Sequence, residues 1–192
     1  MPRRQFGRQP VLRERYLRLA LVRGPGGAHA VTKASLTADE RRGHEAAVSA
    51  HRRLQSVPDA VAADLVPPML ANTTALVLGE SVPVLVCPIA GPRNAAMLPE
   101  RVVGRRELQL RAQAILAAVH AKGVAHGDLA LRNFVVPAPR GAETEVAAAA
   151  RLALIDFERA TLDPSQAVKD AEMDIISDLF SGSQTGESSV GP

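Results

Sequence analysis

The sequence predicts an α+β protein: a small β-rich amino-terminal lobe with one helix, then a mainly helical carboxyl lobe, with a cleft between them. Three observations carry this expectation. Short apolar runs punctuated by Gly and Pro fill the chain as far as Ala90. An amphipathic stripe of Leu108, Ala112, Ile115, Leu116 and Val119 follows. Polar residues then sit at the ends of further buried runs, where clefts form. The 192 residues make roughly one domain, with room for two lobes but not for two independent cores.

The elements can be justified in order. Residues 1–15 form a basic arm without periodicity, in which Arg3, Arg4, Arg8, Arg13 and Arg15 face only Glu14. Tyr16 to Val22 and Ala28 to Ala34 read as two strands joined by the turn Gly24-Pro25-Gly26-Gly27, a hairpin. Thr37 with Glu40 three residues on has the form of a capping box, and the helix it opens runs to Gln55 with Ala47, Ala50 and Leu54 on one side. Val57 to Met69, with three prolines, is a connection, and Ala75–Leu78 and Val82–Val86 are short strands. Pro88, Gly91 and Pro92 break the pattern, which places the amino-terminal lobe at 16–90 and the carboxyl lobe at 91–180. Gly123 stands where the striped helix should cap. Phe134–Val136 and Leu152–Ile155 are strand-like, Pro137 to Ala150 reads as a loop, and Asp170 to Phe180 as a last helix with Met173, Ile176 and Phe180 on one face. Residues 181–192 read as a disordered Ser/Gly tail.

Composition excludes several classes. A formal net charge of +3 is too small to indicate a nucleic-acid binder, and no apolar run is long enough to span a bilayer. The Arg-rich start has some transit-peptide character but lacks the apolar core of a secretory signal. Cys87, the single cysteine, excludes an internal disulfide and fits a reducing, intracellular and cytoplasmic setting. The histidines His29, His44 and His51 show no metal-ligand spacing and read as solvated.

The chemistry concentrates in His126-Gly127-Asp128-Leu129-Ala130-Leu131-Arg132-Asn133 and in the later Ile155-Asp156-Phe157-Glu158. From the chain's own composition, a His-x-Asp-x-x-x-x-Asn match is expected by chance roughly 0.004 times. With a helix before it and a strand after it, this loop resembles the catalytic loop of the protein-kinase-like superfamily, and Asp156-Phe157 resembles the start of its metal-binding triplet. Gly between His and Asp is similar to the compact branch, which includes aminoglycoside-phosphotransferase-like enzymes and small fungal kinase-like proteins.

The resemblance implies a bilobal kinase-like fold with a truncated carboxyl lobe, and ATP and Mg²⁺ as cofactors. It makes Asp128 the residue that orients the acceptor hydroxyl or accepts its proton, and Asn133 and Asp156 the Mg²⁺ ligands. Lys33 and Glu45 match the lysine and glutamate that hold the α- and β-phosphates, with Glu40 as the competing partner for Lys33, and Arg132 becomes a substitute for the missing lysine at the γ-phosphate. Val84 to Ala90, including Cys87, would meet the adenine. Asp174 would be the carboxylate that braces the catalytic loop from the last helix. His126 reads as a packing residue of the loop.

The departures are equally specific. No G-x-G-x-x-G covers the phosphates, Glu158 replaces the glycine of the metal-binding triplet, and no A-P-E segment follows. Gly127 replaces the arginine that would pair with a phosphorylated activation loop. The expected function is transfer of the γ-phosphoryl group to a hydroxyl of a protein (Ser/Thr) or a small molecule. The alternative is a pseudokinase or nucleotide-binding interaction module without catalysis, with an unrelated fold or a fragment of a longer chain behind it.

Overall fold

The computed structural model describes residues 19–23, 29–56, 65–77, 79–88, 90–91, 93–98, 104–137 and 142–181. The basic arm, the Gly24–Gly27 turn and the Ser/Gly tail lie outside the described residues.

Four strands build the first sheet: β1 (Leu19–Arg23), β2 (His29–Ala34), β3 (Ala71–Val77) and β4 (Glu80–Pro88), in the order β1-β2-β4-β3. Every pairing is antiparallel, and Lys33 of β2 stands opposite Leu85 of β4. Helix α1 (Ala38–Gln55) starts where the sequence places it. Thr37 accepts from the Glu40 N–H while Glu40 accepts from the Thr37 N–H, so two otherwise orphaned donors are satisfied. The face of α1 turned inward carries His44, Ala47, Val48, Ala50, His51 and Leu54. His44 and His51 are thus buried rather than solvated, contrary to expectation: both fall on the same helical stripe as the alanines.

The second half is mainly helical. Helix α2 (Arg105–Ala121) buries the predicted stripe, ends at Gly123 with φ 70°, and packs against α4 (Gln166–Ser181). Three short strands, β5 (Arg93–Asn94), β7 (Phe134–Val136) and β8 (Ala153–Leu154), make a second sheet. A third pairs β6 (Val124–Ala125) with β9 (Thr161–Leu162). The segment read as a loop before β8 contains a short helix, α3 (Glu145–Ala149), whose first turn is capped by Thr144. Its Ala148 and Ala149 are fully buried, and that burial rather than periodicity holds it.

One core cluster runs through both halves, from Ala47 and Leu54 of α1 through Leu85, Ile115, Leu116 and Phe134 to Phe157, Ile176 and Phe180. Each fully buried large side chain contributes about 1.5–3 kcal/mol. Gly91 joins the halves; a Cβ there would overlap the carbonyl of Val136, so only glycine allows the link to lie this close to β7. Among the described residues, no helix is long and apolar enough to cross a membrane.

Candidate active site

The carboxyl half fixes a polar loop between β6 and β7. His126 is completely buried, and its two ring nitrogens are both used: Nδ1 lies 3.2 Å from the Asp128 N–H and Nε2 2.8 Å from the Ile155 carbonyl. The partners set the tautomer, with Nδ1 accepting and the Nε2 proton donated to Ile155. Burial lowers the His126 pKa, which keeps this arrangement neutral. Beneath it, the Glu172 carboxylate of α4 accepts from the backbone N–H of His126 (3.1 Å) and of Gly127 (2.6 Å), and lies 2.7 Å from His120 Nε2.

Gly127 has φ 77°, and a Cβ there would overlap the carbonyl of Arg159. Glycine therefore replaces arginine here for a steric reason: the chain after Glu158 occupies the space a side chain would need. Asn133 is buried and donates its amide to the Asp128 carbonyl at 2.7 Å, which leaves its amide oxygen as an acceptor. The Asp128 carboxylate keeps one partner, Arg132 Nη2 at 2.8 Å.

The second acidic element follows β8. The Ile155 N–H donates to the Asn133 carbonyl at 2.9 Å, so Asn133 and Asp156 stand at neighbouring ends of paired strands. Asp156 has φ 72°, a strained backbone for a residue with a Cβ. Phe157 is buried between two imidazoles, its ring 4.9 Å from that of His126 and 5.5 Å from that of His51.

From the other half, Lys33 reaches these carboxylates, with Nζ 2.9 Å from Asp156 and 2.7 Å from Glu158. Burial opposes its charge, but the Asp156 and Glu158 charges and the hydrogen bonds it donates to both carboxylates prevail, so its pKa is raised above the ordinary lysine value.

Above the carboxylates lies a cavity of about 310 Å³. Val31, Leu85, Val135 and Ile155 give it apolar walls, Cys87 and Ala90 close one edge, and Lys33 and Asp156 mark its polar end. Burial raises the Cys87 thiol pKa, with the Lys33 charge opposing, so Cys87 is a neutral wall residue. An apolar slot with one charged end suits a flat aromatic base joined to a charged chain.

Asp128, Arg132 and Asn133 come together on one loop, and Lys33 and Asp156 meet beside it. Glu45 does not join them. It lies on the exposed side of α1, beside a separate hollow lined by Arg41, His44 and Asn72. The expected Lys33–Glu45 pair is therefore corrected: the helix turns Ala47 and His51 to the cavity, and Lys33 takes Glu158 instead. Asp174 is corrected too, because it is exposed and Glu172 supports the loop. A signal for Glu172 exists in the sequence, since it shares the i, i+4, i+8 stripe with the buried Ile176 and Phe180.

Among the described residues, no three His, Cys, Asp or Glu side chains gather as a metal cluster. The amide oxygen of Asn133 and the Asp156 carboxylate are hard oxygen donors of the kind that would hold a Mg²⁺ ion.

Comparisons with known proteins agree with this geometry. Residues 92–183 match the Lipopolysaccharide kinase (Kdo/WaaP) family. No curated protein matches the chain. Among solved structures, the kinase PK-1 of Cydia pomonella granulovirus matches with a TM-score of 0.51 at 12% identity, covering 75% of this chain. The chain spans about half of that kinase, 48% of its length. A sheet lobe delivers Lys33 and a helical lobe presents Asp128, Asn133 and Asp156: the chain has a protein-kinase-like fold, and its carboxyl half resembles the Lipopolysaccharide kinase (Kdo/WaaP) family.

Proposed function

We propose that this protein is an ATP- and Mg²⁺-dependent phosphotransferase that moves the γ-phosphoryl group to an alcohol hydroxyl. The observation that carries the reading is the bond from the Asn133 amide to the Asp128 carbonyl, the bond from the Ile155 N–H to the Asn133 carbonyl that sets Asp156 next to it, and Lys33 directed at Asp156. The cavity walls Val31, Leu85 and Ile155 take the adenine, and Lys33 opposes phosphate charge. Asn133 and Asp156 hold the Mg²⁺, which when bound neutralises charge on the phosphate oxygens. Asp128 orients the acceptor hydroxyl and takes its proton as the new O–P bond forms and the bond to the departing ADP oxygen breaks. Arg132 sits beside Asp128 and is placed to meet the phosphoryl group as it moves.

For the acceptor, the matched family's name favours a sugar hydroxyl of the lipopolysaccharide kind over a protein side chain. The run from Phe157 to Ser165 points the same way. It goes into the β9–β6 pair and then α4, a short connection with two residues of strand in it.

A nucleotide-binding module without catalysis is the second reading, and one observation favours it: Arg132 already engages the Asp128 carboxylate. Purified protein with γ-labelled ATP, Mg²⁺, and both a lipid-linked sugar and a generic protein acceptor separates the two. Transfer that falls about 10²–10⁴-fold in Asp128→Asn supports catalysis. Nucleotide binding with no transfer to any acceptor supports the module. Transfer that survives the substitution overturns the role of Asp128.

A further inference from the structure

In the residues around Lys33, the carboxylate that α1 should supply is missing. The α1 side chains that reach the cavity are Ala47 and His51, neither of which is a carboxylate, and Glu45 faces elsewhere. Glu158, two residues past Asp156 on the opposite half, fills the gap at 2.7 Å, closer than Asp156 itself. The helix is shaped for this intrusion. At Gly43 a Cβ would lie 3.2 Å from Glu158 Cβ and 3.3 Å from its carbonyl oxygen, tighter than ordinary contact. Glycine in the interior of a helix costs roughly 0.5–1 kcal/mol relative to alanine. Here that cost accompanies an open path for Glu158.

We infer that Glu158 is the positioning carboxylate of Lys33, taking from the carboxyl half the part that a helix glutamate would otherwise play, and that Gly43 is the vacancy that admits it. The inference rests on the proposed reading of Lys33 as the phosphate-binding cation. In that reading Asp156 turns to the metal, which takes away one of the two carboxylates now on Lys33. Glu158 is then the group that holds the ammonium in line with the phosphates. Because Lys33 and Glu158 lie in different halves, the hold also draws the sheet toward the catalytic loop, so the lysine is set when the two halves are close.

Two readouts test this. The first is the rate at which an amine-acylating reagent modifies Lys33, followed by mass spectrometry on the nucleotide-free protein. The second is the affinity for ATP with Mg²⁺. Glu158→Gln keeps the side chain's size and removes its charge; it should speed acylation of Lys33 severalfold and weaken ATP binding about tenfold or more. Glu158→Asp keeps the charge but withdraws it by one methylene, and it should fall between the native protein and Glu158→Gln in both readouts. Gly43→Ala should raise helix stability yet displace Glu158, so that Lys33 reacts faster in a protein that melts no lower. Unchanged acylation in both folded Glu158 variants would overturn the inference. The acylation arm uses no nucleotide, so a native protein that fails to bind ATP would sink the proposed function and leave the Lys33–Glu158 pairing separately decided.

Discussion

The two sides of the cleft are specified to very different degrees. On the carboxyl side the 126–133 loop is held by fixed partners at both His126 ring nitrogens, the His126 and Gly127 N–H groups and the Asn133 side-chain NH2. The amino-terminal side contributes an apolar wall and one charge, Lys33, and it meets the other side through the shared apolar core together with a few polar and ring contacts. The latter include Lys33 on Asp156 and Glu158, His51 on Phe157, and Arg53 on Asp163. The contrast teaches that one half holds the polar loop in a preorganised form, while Lys33 from the other half depends on contacts made across the cleft. The family match falls on residues 92–183, the more specified side.

The comparison can be broken most forcefully at Glu172. Glu172→Ala removes the partner of the buried His126 N–H, of the Gly127 N–H and of His120, each buried unsatisfied group costing about 1–3 kcal/mol. The expected loss is about 3 kcal/mol or more, a fall in melting temperature of roughly 6–12 °C at this chain length. The same change at Asp174, which is exposed, should leave melting within about 2 °C. Equal effects at both positions would remove Glu172 as the brace.

Acid should act through the histidine stack. Burial lowers the His51 pKa from 6.5 to about 4, so the unfolded chain binds a proton that the folded one refuses. Stability is therefore full above pH 6.5 and falls as the pH drops toward 4, by up to about 3 kcal/mol. His126, lowered in the same direction, acts in the same sense. His51→Leu should flatten the pH dependence of chemical denaturation between pH 6.5 and 4. An unchanged slope would show that His51 is not buried as a neutral ring.

Gly127→Ala sharpens the contrast in another way. Its positive φ costs about 1–2 kcal/mol with a Cβ present, and overlap with the Arg159 carbonyl must push the loop aside. Activity should fall further than stability, measured as turnover against the melting curve, because Asp128 is the next residue. The smallest effect belongs to Arg53→Ala. The Arg53–Asp163 pair, at 3.1 Å and with Asp163 well exposed, contributes about 0.2–1 kcal/mol. Its contribution should vanish at 1 M salt, checked by comparing native and variant melting at two ionic strengths.

Features with local causes could be read directly from the sequence. The Thr37–Glu40 box, the 108–119 stripe and the Gly123 cap each lie within one element, and the structure reproduces each. The His126–Asn133 loop was legible because its spacing is rare. Features set by distant partners were not. The two-residue strands β6 and β9 exist because Val124 and Leu162, far apart in sequence, meet across the fold. Nothing within three or four residues of Glu158 announces Lys33 as its partner, and the choice of Glu45 failed because a lysine and a later glutamate define no common face. Helical phase was the available corrective: Ala47, His51 and Leu54 share the buried stripe, and Glu45 lies off it.

The central claim is that Lys33 and Asp156, delivered from opposite sides, form one site for a magnesium nucleotide. Thermal melting of the native protein, Lys33→Ala and Asp156→Asn, each with ATP alone, Mg²⁺ alone and both, tests it most directly. At a ligand concentration about 100 times Kd the native protein should gain about 2.7 kcal/mol, a rise of roughly 5–10 °C seen only with ATP and Mg²⁺ together and lost in both variants. A native protein whose melting does not move at millimolar ATP and Mg²⁺, or a rise that persists in both variants, would contradict it.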